Sequence, residues 1–357
     1  MGKFESLLRY LFHPKKRRVD SIAEGTVKIV AGTSILLILL IFLFIFKEAS
    51  SLFFTKSPST ISAESNAPAS YGSDTPSEYN PDGESQTRLG PKIESKEASQ
   101  TETETSLWES LTSSIWQPIS TVPKFGILPL IVGTAKTTFI AILIGAPLAI
   151  LAALNVTFFL PGRIREIIKP TIELLASFPS VVIGFFCLMD VATVVKEVFD
   201  LDFRLNAITG GIGLAIAVTP IIFTVAEDAL NTVPQSYRQA SLALGATEWQ
   251  TAYRVMLPAA LPGVFAAILL GIGRAFGETM IALMATGNAP LMSFGLFDPT
   301  RTFAATIGAE MGEVIWGSNH YNILFLLGVL LFVFTFSLNA VTELYVKKRL
   351  MRKFQGS

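Results

Sequence analysis

Val233-Pro-Gln-Ser-Tyr-Arg-Gln-Ala-Ser-Leu-Ala-Leu-Gly245-Ala-Thr-Glu-Trp-Gln-Thr-Ala-Tyr-Arg-Val-Met-Leu-Pro258 is a polar island between two long apolar segments. It reads as two short helices broken at one glycine. Pro234 suits a first helical turn, where its missing N–H would be unpaired anyway, and Gly245 suits the left-handed position that ends a helix. Thr247-Glu248-Trp249-Gln250 then has the spacing of a capping box, in which the Thr hydroxyl and the Gln amide satisfy the free N–H groups of a new helix. Pro258 reads as the point where the chain restarts as a membrane segment. A hydrophilic helix–glycine–helix held between two spans is a shape that another protein can grip. An amphipathic loop lying on the bilayer is the competing reading.

Composition fits a membrane protein. Of 357 residues 50% are hydrophobic and only 16% charged, against about 25% in globular domains, and the mean hydropathy is +0.51. The 28 basic and 28 acidic residues leave no net charge, which argues against a nucleic-acid partner. A single cysteine, Cys187, with two histidines excludes an internal disulfide and a Cys/His metal cluster. In its apolar run Cys187 reads as a small buried hydrophobe.

The class is therefore all-α, a polytopic membrane protein of six transmembrane helices with both termini cytoplasmic. Residues 1–25 form a basic cytoplasmic N-terminus, with Lys15-Lys16-Arg17-Arg18 ahead of an uncharged run from Ile29 to Phe46. That run is the length of one spanning helix, and the excess of positive charge before it places the N-terminus inside. No small-residue cleavage pattern follows, so residues 26–47 read as an uncleaved anchor rather than a signal peptide. Residues 48–125 are an extracytoplasmic acidic Ser/Thr/Pro-rich tether and interfacial segment; from Ser50 to about Ser106 the chain is too poor in apolar surface to offset its ordering entropy, and a loop that folds on a partner is the competing reading. Trp108 and Trp116, which follow, read as interfacial anchors or as an amphipathic segment lying on the bilayer.

Residues 126–345 form the transmembrane domain. Spans are expected at Thr137–Leu160, Pro170–Val195, Asn206–Ala226, Pro258–Thr286 and Tyr321–Leu344, with an outer loop or re-entrant piece over residues 287–320. The polar island, taken as residues 230–257, then lies inside with the basic tail, residues 346–357.

The chemistry concentrates in Gly271-Ile-Gly-Arg274-Ala-Phe-Gly277-Glu278-Thr279. A charge near the bilayer centre costs roughly 2.5–3.5 kcal/mol, so both charged groups must face protein or water. Arg274 and Glu278 are spaced to share one helix face, and Gly273 and Gly277 have the spacing that admits a neighbouring helix. One reading is a buried ion pair that locks two helices together. The other is a guanidinium fork for an oxyanion, held by Glu278 until the anion passes. Ser180 and Thr279 are hydroxyl donors for the same path, or bond their own helices. Arg301 and Glu310 read as gate residues, contacts to another protein or a solvated loop.

Two resemblances sharpen this. Gln239-Ala240-Ser241, Gly245 and Val255-Met256-Leu257-Pro258 resemble the EAA loop of ABC-importer permeases, with Gln239 in place of the usual Glu and Ser241 in place of the second Ala. This implies that Gln239, Ala240, Ser241, Gly245, Leu257 and Pro258 couple the chain to an ATPase subunit. GRAFGET, together with ELLASFPSVV (Glu173–Val182), GNAP (Gly287–Pro290) and FDPTRTFAATIGAEMGE (Phe297–Glu313), is similar to the phosphate-specific importers, more to their C-type permease than to the A-type. The long acidic tether does not fit that pattern.

The resemblance implies a permease of the bacterial cytoplasmic (inner) membrane that moves phosphate by alternating access. Its partners would be a second phosphate permease, two ATP-binding subunits and an extracytoplasmic phosphate-binding protein, with membrane lipid around it. No cofactor is expected. Arg274, Glu278, Thr279 and Ser180 would lie on the translocation path. The chain has no GxxxxGK[ST] loop, so it does not hydrolyse ATP by that route. The alternatives are an importer of sulfate, molybdate or phosphonate, a passive anion channel, and a membrane enzyme. The docking stretch argues against a channel, and the lack of a nucleophile elbow or metal cluster against an enzyme.

Overall fold

The computed structural model of the chain describes residues 33, 36, 39–52, 110–120 and 123–342. Both termini and most of the tether, Trp108 included, lie outside the described residues. The described part is a helical bundle with one two-residue hairpin. In chain order it comprises α1 (residues 39–52), β1 (Trp116–Gln117), β2 (Lys124–Phe125), α2 (Leu128–Phe158), α3 (Gly162–Ala176) and α4 (Ser180–Phe199). There follow α5 (Ala207–Asn231), α6 (Gln235–Ala243), α7 (Glu248–Phe276), α8 (Met280–Ala285), α9 (Phe303–Glu310) and α10 (Asn319–Val341).

Among the described residues α2, α5, α7 and α10 are each long and apolar enough to cross a membrane, and α3 with α4 makes a fifth only if the bent pair counts as one span. A count of six adds α1. The core is built around α5, which packs against α2 and α7 and has Leu214, Val218, Ile222, Phe223 and Leu230 fully enclosed. Small residues make this closeness possible: a Cβ on Gly213 would sit 2.7 Å from both Cys187 Sγ and Ile281 Cγ2. Cys187 is the small buried hydrophobe expected of it.

Three boundaries differ from the expectation. Pro170–Val195 is not one helix, because the chain turns by 88° between α3 and α4. Pro179 explains the corner: it lacks an N–H and forces Phe178 out of the helical region. Pro258–Thr286 is interrupted after Phe276, and α8 starts afresh at Met280. Span α2 begins at Leu128, nine residues before Thr137, and so contains Lys136. Its ammonium group is buried yet satisfied, donating to the carbonyls of Ser293 at 3.1 Å and Gly295 at 2.8 Å.

Those carbonyls belong to the segment over residues 287–302, which folds onto the ends of α2 and α5 instead of extending into solvent. Ala207 and Ile208 at the start of α5 donate N–H groups to Asp298 and Leu296, both at 3.1 Å. Segment residues thereby satisfy free donors of that helix end.

The hairpin pairs Trp116 with Phe125 and turns both rings into a second apolar cluster with Leu130, Phe303, Ile323 and Leu327. Trp116 is only 2% exposed, so it is a core residue and not an interfacial anchor. Its indole N–H donates to Glu310 at 3.1 Å, the same carboxylate that accepts from Arg301 at 2.5 Å and meets His320 at 2.8 Å. Burial alone would push this carboxyl up; the bonds from His320 and Trp116, with the Arg301 charge, hold it below the ordinary carboxylate range. Arg301 and Glu310 thus join the hairpin, α9 and α10. Helix α1 packs on α10 through Phe42 against Phe332 and Phe44 against Phe325.

Candidate functional site

The polar island folds as two helices about a left-handed joint. Gly245 has φ +83°, and two bonds close the end of α6: Gly245 N–H to Leu242 at 3.0 Å and Ala246 N–H to Ser241 at 3.2 Å. This is the double closure that a left-handed glycine permits. The capping box is formed in both directions, Gln250 N–H to the Thr247 hydroxyl at 3.2 Å and Thr247 N–H to the Gln250 side chain at 3.0 Å. Two further contacts hold α6 against the start of α7. The buried hydroxyls of Ser241 and Thr251 lie 2.9 Å apart, and Arg238 grips Glu248 at 3.0 Å.

Gln239, Ala240, Gly245 and Pro258 face outward, Leu257 is half-buried, and Ser241 is turned in. Leu244 stands 90% exposed at the joint. An apolar side chain so placed has no function in the core of this chain. Pro258 does not restart the chain. Helix α7 runs unbroken through it, because the backbone widens into a π-helical turn over Ala252–Met256 and absorbs the N–H that Pro258 lacks. The part of α7 that packs on α6 is therefore joined to its apolar part by continuous helix.

Arg274 lies in the last turn of α7, and Glu278 follows its end at Gly277. They pair at 3.2 Å, with the carboxylate 5% exposed and the guanidinium 50% exposed. The expected pair is present, and it is lopsided: one charge is fixed in protein and the other is presented. Thr279 precedes α8 with its methyl against Gly308. Ser180 begins α4, which packs on α8 through Gly184. Among the described residues no hydrogen bond links Ser180 to the ion pair. Gly273 and Gly277 do not mediate a tight helix contact, since a Cβ on Gly273 would meet only Asn339 at 3.9 Å. The close approach is made by Gly271, where a Cβ would lie 2.6 Å from Ile222.

Residues 145–350 match the family described as the binding-protein-dependent transport system inner membrane component. The chain belongs to that family. It is an ABC-importer permease of the inner membrane, a transport component and not an enzyme, and it works with ATPase partners and a substrate-binding protein. A protein of Bacillus subtilis named a probable ABC transporter permease, YqgH, is 37% identical over 61% of this chain and 71% of its own. The phosphate transport system permease PstC of Mesorhizobium japonicum is 35% identical over 62% of this chain and 73% of its own. An inward-facing structure of the MetNI methionine ABC transporter aligns with a TM-score of 0.48 at 19% identity, covering 62% of this chain and 96% of that one.

The permease has one more polar centre that its sequence does not reveal. Glu227, near the end of α5 and fully buried, accepts from Arg165, from Lys169 at 2.7 Å and from Asn231 at 2.7 Å. Lys169 also faces Asp228 at 3.5 Å. Arg165 and Lys169 lie on α3, which has no fully buried residue of its own, so this carboxylate ties α3 to the bundle. Both cations are about a third exposed and can turn to water. Glu227→Gln should therefore lower the stability of the assembled permease by only about 1–2 kcal/mol, less than the loss of a fully buried pair. Thermal unfolding in detergent measures it, and an unshifted transition would mean that α3 is held by other contacts.

Proposed function

We propose that the chain is the permease of an ATP-driven phosphate importer that works by alternating access beside a second, similar permease. In this reading two ATP-binding subunits grip α6 and the start of α7 on the cytoplasmic face, and an extracytoplasmic binding protein delivers phosphate to the opposite face. ATP binding closes the ATPase pair, the movement passes through Gln239–Pro258 into α7, and the paired permeases open outward; hydrolysis resets them.

The observation that carries the substrate is the Arg274–Glu278 pair. A half-exposed guanidinium, anchored by a buried carboxylate at the end of a spanning helix, offers planar donors to a tetrahedral oxyanion. The carboxylate tempers that attraction, which suits a path that must release what it accepts. Thr279 and Ser180, each at a helix start, add hydroxyl donors. The phosphate transport permeases among the relatives support the same choice of anion.

Phosphate uptake into proteoliposomes containing the complete complex tests this, with excess sulfate or molybdate as competitor. ATP-dependent phosphate uptake that withstands both is expected. If either competitor suppresses uptake and is itself accumulated, the oxyanion has been assigned wrongly. Uptake without ATP would point to a passive channel.

A further inference from the structure

The polar end of α7 carries a groove where the docking stretch runs into the apolar span. It is lined by Tyr253, Arg254, Leu257, Pro258 and Leu261 and holds about 400 Å³. Arg254 sits in the π-helical turn with its side chain exposed. Arg165, Lys169 and Arg238 at the same end are each matched by a carboxylate; among the described residues Arg254 has no ion pair or hydrogen bond.

The surroundings fix the level of this groove relative to the bilayer. Tyr253 stacks on Trp249 with ring centroids 6.3 Å apart and an angle of 6°, and Trp249 meets Phe159, just past the end of α2, at 5.8 Å. Trp249 and Tyr253 are both more than half exposed. A row of exposed aromatics where polar helices give way to apolar spans marks the headgroup layer. Further along α7, Leu261 and Phe265 are exposed and apolar, as lipid-facing residues are. Arg274 lies thirteen residues beyond Leu261, which at about 100° per residue turns it to the far side of the helix. The groove therefore looks away from the proposed path.

We propose that this groove seats one anionic phospholipid. Its phosphate lies against the Arg254 guanidinium and within reach of the Tyr253 hydroxyl, and an acyl chain follows Leu261 and Phe265. Charge selects this occupant: an unmatched cation beside an apolar slot at headgroup depth fits a lipid phosphate above its own chains. The chain's own tail has the wrong sign, since Lys347, Lys348, Arg349, Arg352 and Lys353 would repel Arg254. A lipid bound here would brace the widened turn through which movement of α6 enters the span.

The test is lipid binding to the complete, delipidated transporter, counted by native mass spectrometry during titration with phosphatidylglycerol or phosphatidylcholine. Wild type should hold one phosphatidylglycerol per copy of this chain about fivefold more tightly than Arg254→Gln does, the worth of one cation near a membrane surface. Arg254→Lys should fall between them, Leu261→Trp should fill the slot and lose the lipid, and phosphatidylcholine should bind alike to wild type and both Arg254 variants. Equal phosphatidylglycerol binding by wild type and Arg254→Gln overturns the proposal. So does displacement of the lipid by inorganic phosphate, which would make the groove a site for the free anion. A photo-crosslinker at position 261, beyond the docking stretch, that captures the second permease or an ATP-binding subunit in place of lipid overturns it too.

Discussion

Replacing Arg274 by Gln is expected to lower phosphate uptake at least a hundredfold while leaving the permease assembled. The magnitude follows from the loss of one charged donor aimed at an oxyanion, which in other settings costs about 10²–10³ in rate. Assembly survives because the Arg274 side chain is 50% exposed. The cost to the fold falls on Glu278, which at 5% exposure is left as a buried carboxylate without its cation. That consequence separates the two readings of the pair. Adding Glu278→Gln to the Arg274→Gln variant removes the stranded charge and should restore any lost stability. If the pair were only a lock between structural elements, the double variant would recover uptake as well; if Arg274 serves the anion, it stays inactive. Arg274→Lys keeps the charge but not the fork and should retain a reduced rate. Wild-type uptake in the Gln variant would remove Arg274 from the path.

The pair was legible in the sequence because it is local. A separation of four positions at a helix end brings the two groups within reach with no tertiary information. The same holds for Gly245 and the Thr247–Gln250 box, whose partners lie within five residues and whose roles follow from backbone chemistry. Pro258 and Pro179 were harder for one shared reason. A proline has two outcomes in a helix, and flanking structure decides between them: at Pro258 a widened turn carries the helix through, while at Pro179 the helix stops and turns by 88°.

Residues with distant partners were illegible. Glu227 looks like a loop charge until Arg165 and Lys169, 62 and 58 positions earlier, are brought to it. Trp116 is 194 positions from Glu310. The span expected from Thr137 leaves Lys136 outside, and a lone lysine seldom lies within one; the carbonyls that satisfy it come from a segment some 160 residues later. Sequence patterning thus exposed the polar helix–glycine–helix and the presented cation, and hid the polar ties that hold the elements bearing them.

Gly245→Val should abolish ATP-dependent uptake, and the cause is conformation more than bulk. A Cβ at this position would meet nothing within 4 Å, so the chain itself has room for a side chain. What it cannot accommodate cheaply is φ +83° with a β-branched residue, which costs about 1–2 kcal/mol at a left-handed position. Relieving that strain means unwinding the joint, and with it the two bonds that close α6. The Ser241–Thr251 and Arg238–Glu248 contacts then hold two helices whose connection no longer fixes their angle. A docking surface with a variable angle still binds a partner but transmits its movement poorly. ATP hydrolysis by the reconstituted complex should accordingly persist while uptake is lost. Gly245→Asn discriminates between the causes, because asparagine tolerates the left-handed region and adds a side chain of similar size. Near-normal uptake with Asn alongside loss with Val identifies the backbone joint as the coupling element. Loss with both means that the partner's surface closes over this position and admits no side chain, and normal uptake with both means that force passes by another route.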